Sequence, residues 1–352
     1  MERNVLKKIL VIRFSSLGDV ILTTPLLKIL KQKYPESQID FLVKRQYSEA
    51  LKNNPNIGKL IEADDNIDLL GLKKLKNQIR SGNYGLIIDA HNNLRTFYLR
   101  LFLNSTKHVF KKYSLRKFLL VKFKINLMKD FPAIAERYCQ VLGKYSPPLK
   151  GGVAEGRGGL VPEIFPDESS KQNVEKLLNE LNIDNDKKLI CIVPSSKHFT
   201  KTYPAEYYAE LINKFDSNKY AFVLIGKGND KINISKIKSI TGNNVYDLCD
   251  KLSILDIAEL MKRCSLVISG DTGPMHIAEA FNIPLIMIAG SSVREFGFYP
   301  QNKKSFVIEN RSLKCRPCSH IGRSECPLEH FKCMREIKPD VILREAMNLL
   351  FY

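Results

Sequence analysis

The sequence predicts an α/β protein with two doubly wound domains, and three observations carry this prediction. Short apolar runs rich in β-branched residues alternate with helix-like segments, which is typical of parallel sheets covered by helices on both faces. The length of 352 residues favours two domains. A stretch rich in glycine and proline near the middle of the chain marks a boundary between them.

The first half begins with a strand, a loop and a helix. The predicted strands of this half lie at residues 8–14, 39–43, 59–63, 86–90 and 108–110. A helix over residues 20–34 follows the first strand, and Pro25 should kink it or mark its first turns. Another helix over residues 131–144 closes this half. We therefore expect an N-terminal domain over residues 1–147.

The second half repeats the pattern after the Gly/Pro-rich segment, residues 148–166, which we expect to be a linker or surface insertion. We place a C-terminal domain at residues 167–338. Its predicted strands lie at residues 188–193, 221–226, 245–248, 266–269 and 285–289. Its predicted helices lie at residues 167–181, 204–214, 230–239, 253–263 and 274–281. Residues 339–352 form an amphipathic helix that is expected to pack back toward the N-terminal domain.

The charge balance points to an anionic partner. The chain has 55 Lys and Arg against 37 Asp and Glu, a net charge of +18. Such a field attracts nucleic acid, an anionic membrane face or a phosphorylated substrate, and charge alone does not choose among them. No apolar run is long enough to span a bilayer, and Arg13 interrupts the N-terminal apolar run before a signal peptide develops. We expect a cytoplasmic protein.

A loop with Ser15, Gly18 and Asp19 follows the first strand and precedes a helix. Backbone N–H groups face a ligand at such a position, Gly18 permits close approach, and Asp19 presents a carboxylate. The alternative is that Asp19 caps the helix. The two interpretations are compatible.

Two further loops have the same position between strand and helix. The loop at residues 194–204 contains Thr200 and Lys201, which could hold a phosphate, although by itself the pattern favours a solvated loop. The loop at residues 269–276 has glycines on both sides of Asp271-Thr272 and His276 one turn into the next helix. Free N–H groups at that helix start favour a pyrophosphate, and a simple capped helix is the alternative.

Two other features allow a function besides a structural role. Cys315, Cys318, Cys326 and Cys333 could form a small zinc site, but the second pair is widely spaced, and unligated thiols or a crosslink are the alternatives. A basic stretch with interleaved aromatic residues runs from 95 to 124. It is either a solvated face or a surface for an anionic partner, and its candidate residues are Arg95, Lys111, Lys112 and Arg116.

Taken together, the three loops resemble those of glycosyltransferase family 9, the lipopolysaccharide heptosyltransferases. The resemblance covers ILVIRFSSLGDVILTTPLL, the Thr200-Lys201-x-x-Pro204 loop, the Asp271-Thr272-Gly273-x-x-His276 loop and the cysteine-rich segment. It implies a GT-B architecture, with two Rossmann-like domains facing a central cleft. It also implies inverting transfer of a heptose from an ADP-sugar to an inner-core acceptor, without a cofactor or metal, at the cytoplasmic face of the inner membrane.

The resemblance also assigns roles to residues. Asp19 matches the general base, with Ser15 and Gly18 near the sugar. Thr200 and Lys201 match the residues that hold the donor pyrophosphate. The residues of the third loop that match contacts to phosphate and heptose are Asp271, Thr272, Gly273 and His276. Asp230 is the candidate partner of the adenosine ribose, and the basic stretch would meet the acceptor.

Some residues depart from the family pattern. Tyr203 stands where Trp is frequent, Ser195 stands where Gly is usual, and Asp230 is one methylene shorter than Glu. These departures leave open an enzyme of the same fold that uses another nucleotide sugar. The net charge of +18 leaves open a second alternative, a basic nucleic-acid-binding protein. No recognised nucleic-acid module is visible, and no nucleic acid is expected as a partner.

Overall fold

The computed structural model describes residues 6–143, 160–184 and 186–351. Their contacts divide the chain into two compact units, Met1–Tyr113 with Ile134–Phe165 and Ser114–Ala133 with Pro166–Tyr352. Residues 114–133 therefore group with the second unit, although the sequence placed them in a domain over residues 1–147. Side-chain bonds explain the difference, because Lys124 Nζ donates to the carbonyl oxygens of Cys315 and Pro317 at 3.1 and 2.7 Å.

The first unit is built on a five-stranded parallel sheet. Its strands are β1 Lys8–Ile12, β2 Gln38–Lys44, β3 Lys59–Ala63, β4 Leu86–Asp89 and β5 Thr106–Val109. The helices as far as residue 143 are α1 Leu17–Leu22, α2 Thr24–Lys33, α3 Arg45–Ser48, α4 Leu69–Ser81, α5 Leu94–Arg100, α6 Ser114–Phe123 and α7 Ile134–Cys139, of which α6 belongs to the second unit. The strand order β3-β2-β1-β4-β5 reverses between β1 and β4, the point where doubly wound sheets bind ligands.

The helical segment after β1 is interrupted near Pro25, as predicted. The predicted helix over residues 20–34 is two helices, α1 and α2, which meet at Thr23, with Pro25 in the first turn of α2. Proline is tolerated there because the first N–H groups of a helix have no partner within the helix. The inward faces of both helices are buried against the sheet.

The second unit is built on a six-stranded parallel sheet. Its strands are β6 Lys188–Val193, β7 Tyr220–Leu224, β8 Val245–Asp247, β9 Leu266–Ser269, β10 Leu285–Ala289 and β11 Ser305–Glu309. Its later helices are α8 Glu168–Glu180, α9 Ala205–Asn213, α10 Asp230–Lys238, α11 Ile254–Lys262, α12 Gly273–Ala280, α13 Lys332–Arg335 and α14 Pro339–Phe351. The order β11-β10-β9-β6-β7-β8 reverses between β9 and β6. Sequence reasoning missed β11, an edge strand that buries little apolar surface.

The C-terminal helix contributes to the core of the second unit. The buried residues of α14, Ile342, Ala346 and Leu350, are part of the apolar core of the second unit. The hydroxyl of Tyr203 also donates to the carbonyl oxygen of Ile337 at 2.7 Å, just before the helix begins. The helix therefore takes part in the core of the second unit, and its packing toward the N-terminal domain stays a prediction.

Most of the predicted linker, residues 148–159, lies outside the described residues. The described part that follows is attached to the first unit. The backbone N–H of Glu163 donates to Thr24 Oγ1 at 2.7 Å, and its carboxylate accepts from Lys28 Nζ at 2.8 Å. Across residues 6–143, 160–184 and 186–351, no helix has the length and apolar character needed to cross a membrane.

Candidate functional site

Asp19 lies at the strand-order reversal of the first sheet, one turn into α1. Arg13 directly follows β1, and its NH2 atom lies 2.7 Å from Asp19 Oδ2. Ser16 donates its hydroxyl to the same oxygen at 2.9 Å, and Tyr138 donates its hydroxyl to Oδ1 at 2.7 Å. Ser16 N–H also donates to Asp19 at 3.3 Å, so Asp19 closes the helix start and takes part in a buried ionic network at the same time.

These partners fix the charge of Asp19. Burial by itself raises the pKa of a carboxyl group, but the Arg13 charge and then the bonds from Tyr138 and Ser16 hold the pKa of Asp19 below its ordinary value. Each carboxylate oxygen has two lone pairs. Among the residues that the structure describes, Oδ1 accepts one bond, from Tyr138, which leaves it one further acceptor position. The group is an ionised carboxylate that can take one more proton donor.

The neighbouring strand β4 supplies a second layer of polar groups. Arg13 NH1 donates to the carbonyl oxygen of Ala90 at 2.7 Å, which orients the guanidinium between β1 and β4. Burial and the charges of Arg13 and Lys112 lower the pKa of His91 to about 3, so its imidazole is neutral at neutral pH. The pKa of Lys112 is lowered by burial and Arg13. The surroundings of Asp19 are therefore mainly cationic.

Lys201 and Asp271 form an ion pair at the strand-order reversal of the second sheet. Lys201 follows β6, Asp271 follows β9, and Lys201 Nζ lies 2.6 Å from Asp271 Oδ2. The two side chains are 13% and 8% exposed, so their charges are only weakly screened by water. The structure thus brings together two predicted residues that are 70 positions apart in the sequence.

Tight backbone packing holds the Lys201 loop. A Cβ on Gly270 would lie 2.6 Å from the carbonyl oxygen of Lys201, and a Cβ on Gly290 would lie 2.6 Å from that of Thr200. Thr200 is buried, and its Oγ1 accepts from Ser291 Oγ at 3.1 Å and from the N–H of Arg323 at 2.9 Å. Thr200 therefore braces the loop that carries Lys201. Its predicted contact with a phosphate stays a prediction.

The third predicted loop leads directly into α12. Thr272 is the N-cap residue and Gly273 the first helical residue, and Thr272 Oγ1 lies 2.9 Å from Ser269 Oγ. The N–H groups at the start of α12 lie beside Asp271, as the sequence indicated. His276 is buried, with its Nδ1 3.1 Å from Glu279 Oε2. That pairing fixes the orientation of the ring.

Asp230, the candidate ribose partner, begins α10 after β7, the strand next to β6. Its Oδ2 accepts from the N–H of Lys227 at 2.9 Å. Gly228 has a φ of +58° and donates its N–H to Asp250 Oδ1 at 2.9 Å. The loop is therefore shaped by two carboxylates, and Asp230 stands at the same sheet edge as Lys201.

The predicted basic residues divide between the two units. Arg95, Lys111 and Lys112 belong to the first unit, and Arg116 belongs to the second. Lys112 lies near the charges of Arg13 and Asp19, whereas Arg95 and Lys111 are exposed at the surface. Arg116 lies against the Phe131 ring, 5.2 Å from its centroid.

The late cysteines line one small cavity of about 30 Å³. All eight cysteines of the chain are free thiols, the four of this cavity being Cys315, Cys318, Cys326 and Cys333. Burial raises the pKa of Cys318, and it raises that of Cys333 to about 12. In the part of the chain that the structure describes, no group of three or more His, Cys, Asp or Glu side chains is arranged to hold a metal ion.

Comparison with known proteins decides the family. The model of glycosyltransferase family 9 (heptosyltransferase) matches residues 72–329. The chain belongs to glycosyltransferase family 9. Membership confirms the predicted family resemblance and the predicted class of enzyme, a glycosyltransferase.

Relatives match the chain over different lengths. The lipopolysaccharide heptosyltransferase 1 of Campylobacter coli is 26% identical over 97% of this chain and 98% of its own length. The lipooligosaccharide heptosyltransferase 2 of Campylobacter jejuni is 29% identical over 50% of this chain, and the match spans 55% of that relative.

Solved structures confirm the predicted GT-B fold. A family 9 glycosyltransferase of Veillonella parvula has a TM-score of 0.78 at 24% identity, with 98% of each chain covered. The ADP-heptose lipopolysaccharide heptosyltransferase II of E. coli has a TM-score of 0.74 at 21% identity, again with 98% of each chain covered. A heptosyltransferase of E. coli with ADP has a TM-score of 0.67 at 17% identity, covering 97% of this chain and 99% of the other.

Sequence reasoning missed the residues that set the state of Asp19. Arg13 directly follows β1, and Tyr138 lies in α7, 119 positions from Asp19. Arg13 carried a usable signal, because a charged residue that directly follows a buried strand requires a counter-charge nearby. Tyr138 carried none, because an aromatic residue in an apolar helix is typical of a core.

Proposed function

We propose that this protein transfers a heptose from ADP-heptose to the inner core of lipopolysaccharide, with inversion at the anomeric carbon. The observation that supports the proposal is the ionised carboxylate of Asp19 at the strand-order reversal of its sheet, whose Oδ1 accepts a single bond among the described residues. The matched relatives are heptosyltransferases by name, and one solved structure of the same fold contains ADP.

Asp19 would act as the general base. The acceptor hydroxyl would donate to the free position on Oδ1 and give up its proton as its oxygen attacks the anomeric carbon. The bond between that carbon and the diphosphate would break at the same time, and its electron pair would leave with ADP. Arg13 and Tyr138 would hold the carboxylate ionised and oriented before the reaction starts.

Lys201 would stabilise the departing diphosphate. Its ammonium group is paired with Asp271, and a diphosphate oxygen is a stronger competitor because it accumulates negative charge as the sugar leaves. The N–H groups that begin α12 at Gly273 would add to this positive potential. These groups belong to the protein, so we expect no cofactor or metal to be required.

The remaining donor contacts follow from the same sheet edge. Asp271, once released from Lys201, would accept from hydroxyls of the heptose, with His276 Nε2 and Thr272 close to the same loop. Asp230 would accept from the ribose hydroxyls of adenosine beyond β7. Ser15 and Gly18 would lie near the transferred sugar in the first unit.

The acceptor would be a phosphorylated glycolipid. The cationic surroundings of Asp19, which include Arg13 and Lys112, suit a substrate with negative charge close to the reacting hydroxyl. We propose that the enzyme works in the cytoplasm, as a peripheral protein on the inner face of the inner membrane.

Calorimetric titration with ADP, UDP, GDP and CDP at matched salt tests the donor assignment. We expect ADP to bind most tightly, and we expect Asp19→Asn to keep this binding while it loses turnover. Preference for another nucleotide would retain sugar transfer and discard ADP-heptose. Failure to bind any of the four, together with tight and salt-sensitive binding of oligonucleotides, would favour a nucleic-acid-binding protein instead.

A further inference from the structure

Large apolar side chains are concentrated on the surface of one short segment of the second unit. Within residues 114–127, five of them are exposed, Leu115 by 70%, Phe118 by 55%, Phe123 by 57%, Ile125 by 49% and Leu127 by 52%. Single exposed apolar residues are normal on a soluble protein, but a contiguous group marks an interaction surface. We call this segment, α6 with the loop that follows it, the α6 surface.

The outward position of these side chains is fixed by the backbone around them. Leu120 and Met128 are buried and anchor the segment on its inner side. Lys124 Nζ bonds two carbonyl oxygens of the cysteine-rich segment, and Asn126 donates to Glu295 Oε1 at 2.7 Å. The exposed apolar groups are therefore held outward by an anchored backbone.

The helical period places apolar and basic groups on one face. Leu115, Phe118 and Lys122 are spaced by three and four residues, so they lie on the same side of α6, and all three are exposed. The ring of Phe123 lies against that of Phe118 with centroids 5.9 Å apart. Lys122 therefore stands among apolar groups, from where a long side chain can bring its charge to the level of lipid headgroups.

The charge of the segment indicates which kind of partner binds the α6 surface. Residues 114–127 contain four basic residues and no acidic one, the basic residues being Arg116, Lys117, Lys122 and Lys124. Apolar side chains with a surrounding positive charge fit the boundary between headgroups and acyl chains of an anionic bilayer. A protein partner of the same apolar character would not require this excess of positive charge.

We propose that the α6 surface docks on an anionic lipid bilayer, with Leu115, Phe118 and Phe123 inserted below the headgroups. Its connection to catalysis rests on the proposed function, because the acceptor of that reaction is anchored in such a bilayer. Binding to lipid itself does not depend on which sugar is transferred.

Cosedimentation of the full chain with vesicles tests the apolar part of the proposal. The vesicles are pure phosphatidylcholine or phosphatidylcholine mixed with phosphatidylglycerol. The protein should bind the anionic vesicles and lose most of this binding in high salt. Leu115→Ser with Phe118→Ser should weaken binding by about ten-fold or more. The matched pair Ile240→Ser with Phe306→Ser, also exposed residues of the second unit, should leave it unchanged.

A charge variant tests the electrostatic part. Lys122→Gln should weaken binding to anionic vesicles by about five-fold, whereas Lys238→Gln, an exposed lysine on α10, should not. Equal losses of vesicle binding in the test and control variants would overturn the proposal. A wild-type protein that does not bind anionic vesicles would also overturn it. Light scattering that shows a dimer for the wild type and a monomer for Leu115→Ser with Phe118→Ser would also overturn it, in favour of a second copy as the partner.

ADP titration of the same variants separates the two proposals. Unchanged ADP binding with lost vesicle binding assigns the α6 surface to lipid alone and shows that the variants are folded. If the protein binds vesicles but none of the four nucleotides, the proposed donor is refuted and the proposed docking surface is retained.

Discussion

Lys201→Ala should weaken ADP binding strongly, because the variant lacks the ammonium group that is proposed to contact the diphosphate and that pairs with Asp271. A charge-assisted contact to phosphate contributes about 1.5–3 kcal/mol, which corresponds to an increase in Kd of about 10- to 150-fold. The upper half of this range is expected, because Lys201 and Asp271 are only 13% and 8% exposed. Loss of the lysine would also leave the Asp271 carboxylate unpaired and facing the diphosphate.

The second unit offers a close control for this variant. Lys236 Nζ lies 2.6 Å from Glu206 Oε1, the same separation as in the Lys201 pair, but its two side chains are 50% and 54% exposed. Lys236→Ala should leave ADP binding unchanged and alter stability by less than about 1 kcal/mol. Isothermal titration calorimetry measures binding, and thermal unfolding confirms that each variant is folded.

A double variant separates the two causes of the loss. If repulsion from unpaired Asp271 contributes, Lys201→Ala with Asp271→Ala should bind ADP more tightly than Lys201→Ala alone. A Lys201→Ala protein whose Kd for ADP stays within about two-fold of the wild type would refute the assignment of Lys201 to the diphosphate.

Two further variants test the Asp19 network and the packing of the donor loop. Because the pKa of Asp19 is lowered, its protonation should reduce kcat/KM only at a pH below the ordinary titration range of a carboxyl group. Tyr138→Phe removes a bond to the ionised form and should move this acid limb of the pH profile to higher pH. Tyr84→Phe, which removes a 2.6 Å bond to Asp40 elsewhere in the same unit, should leave the pH profile unchanged, and equal profiles for both variants would contradict a positioning role for Tyr138. Gly270→Ala would place a Cβ 2.6 Å from a backbone oxygen of the neighbouring loop, so it should destabilise the protein by about 1–3 kcal/mol in denaturant unfolding and weaken ADP binding. Gly242→Ala, whose Cβ would meet its nearest atom at 3.6 Å, should do neither.

The sequence predicted the elements whose signal is local. Buried parallel strands such as β1 and β9 appear as apolar runs, and the loops after them end in residues that favour turns and helix starts. Strand-order reversal then brings Lys201 and Asp271 to one sheet edge, which the alternation of strands and helices already implied. Edge strand β11 was missed because its apolar run, Phe306 to Ile308, is only three residues long and is flanked by Ser305 and Glu309.

The sequence could not predict packing between distant segments. An amphipathic pattern shows that α14 has an apolar face, but the partner of that face is set by the space left in the core of the second unit. The same holds for residues 114–133, which the bonds of Lys124 and Asn126 attach to the second unit. Tyr138 contacts Asp19 across 119 positions, and no local pattern encodes such a contact.

Transfer by the purified protein and by Asp19→Asn tests the central claim most directly. Each protein is incubated with ADP-heptose and a lipopolysaccharide acceptor that lacks inner-core heptose, and the product is analysed by mass spectrometry and by NMR of the anomeric centre. We predict one added heptose with inverted configuration for the wild type and no product for Asp19→Asn, with ADP binding unchanged in the variant. Near-normal transfer by Asp19→Asn, or retention of the donor configuration, would contradict the role of Asp19 as the base of an inverting heptosyltransferase.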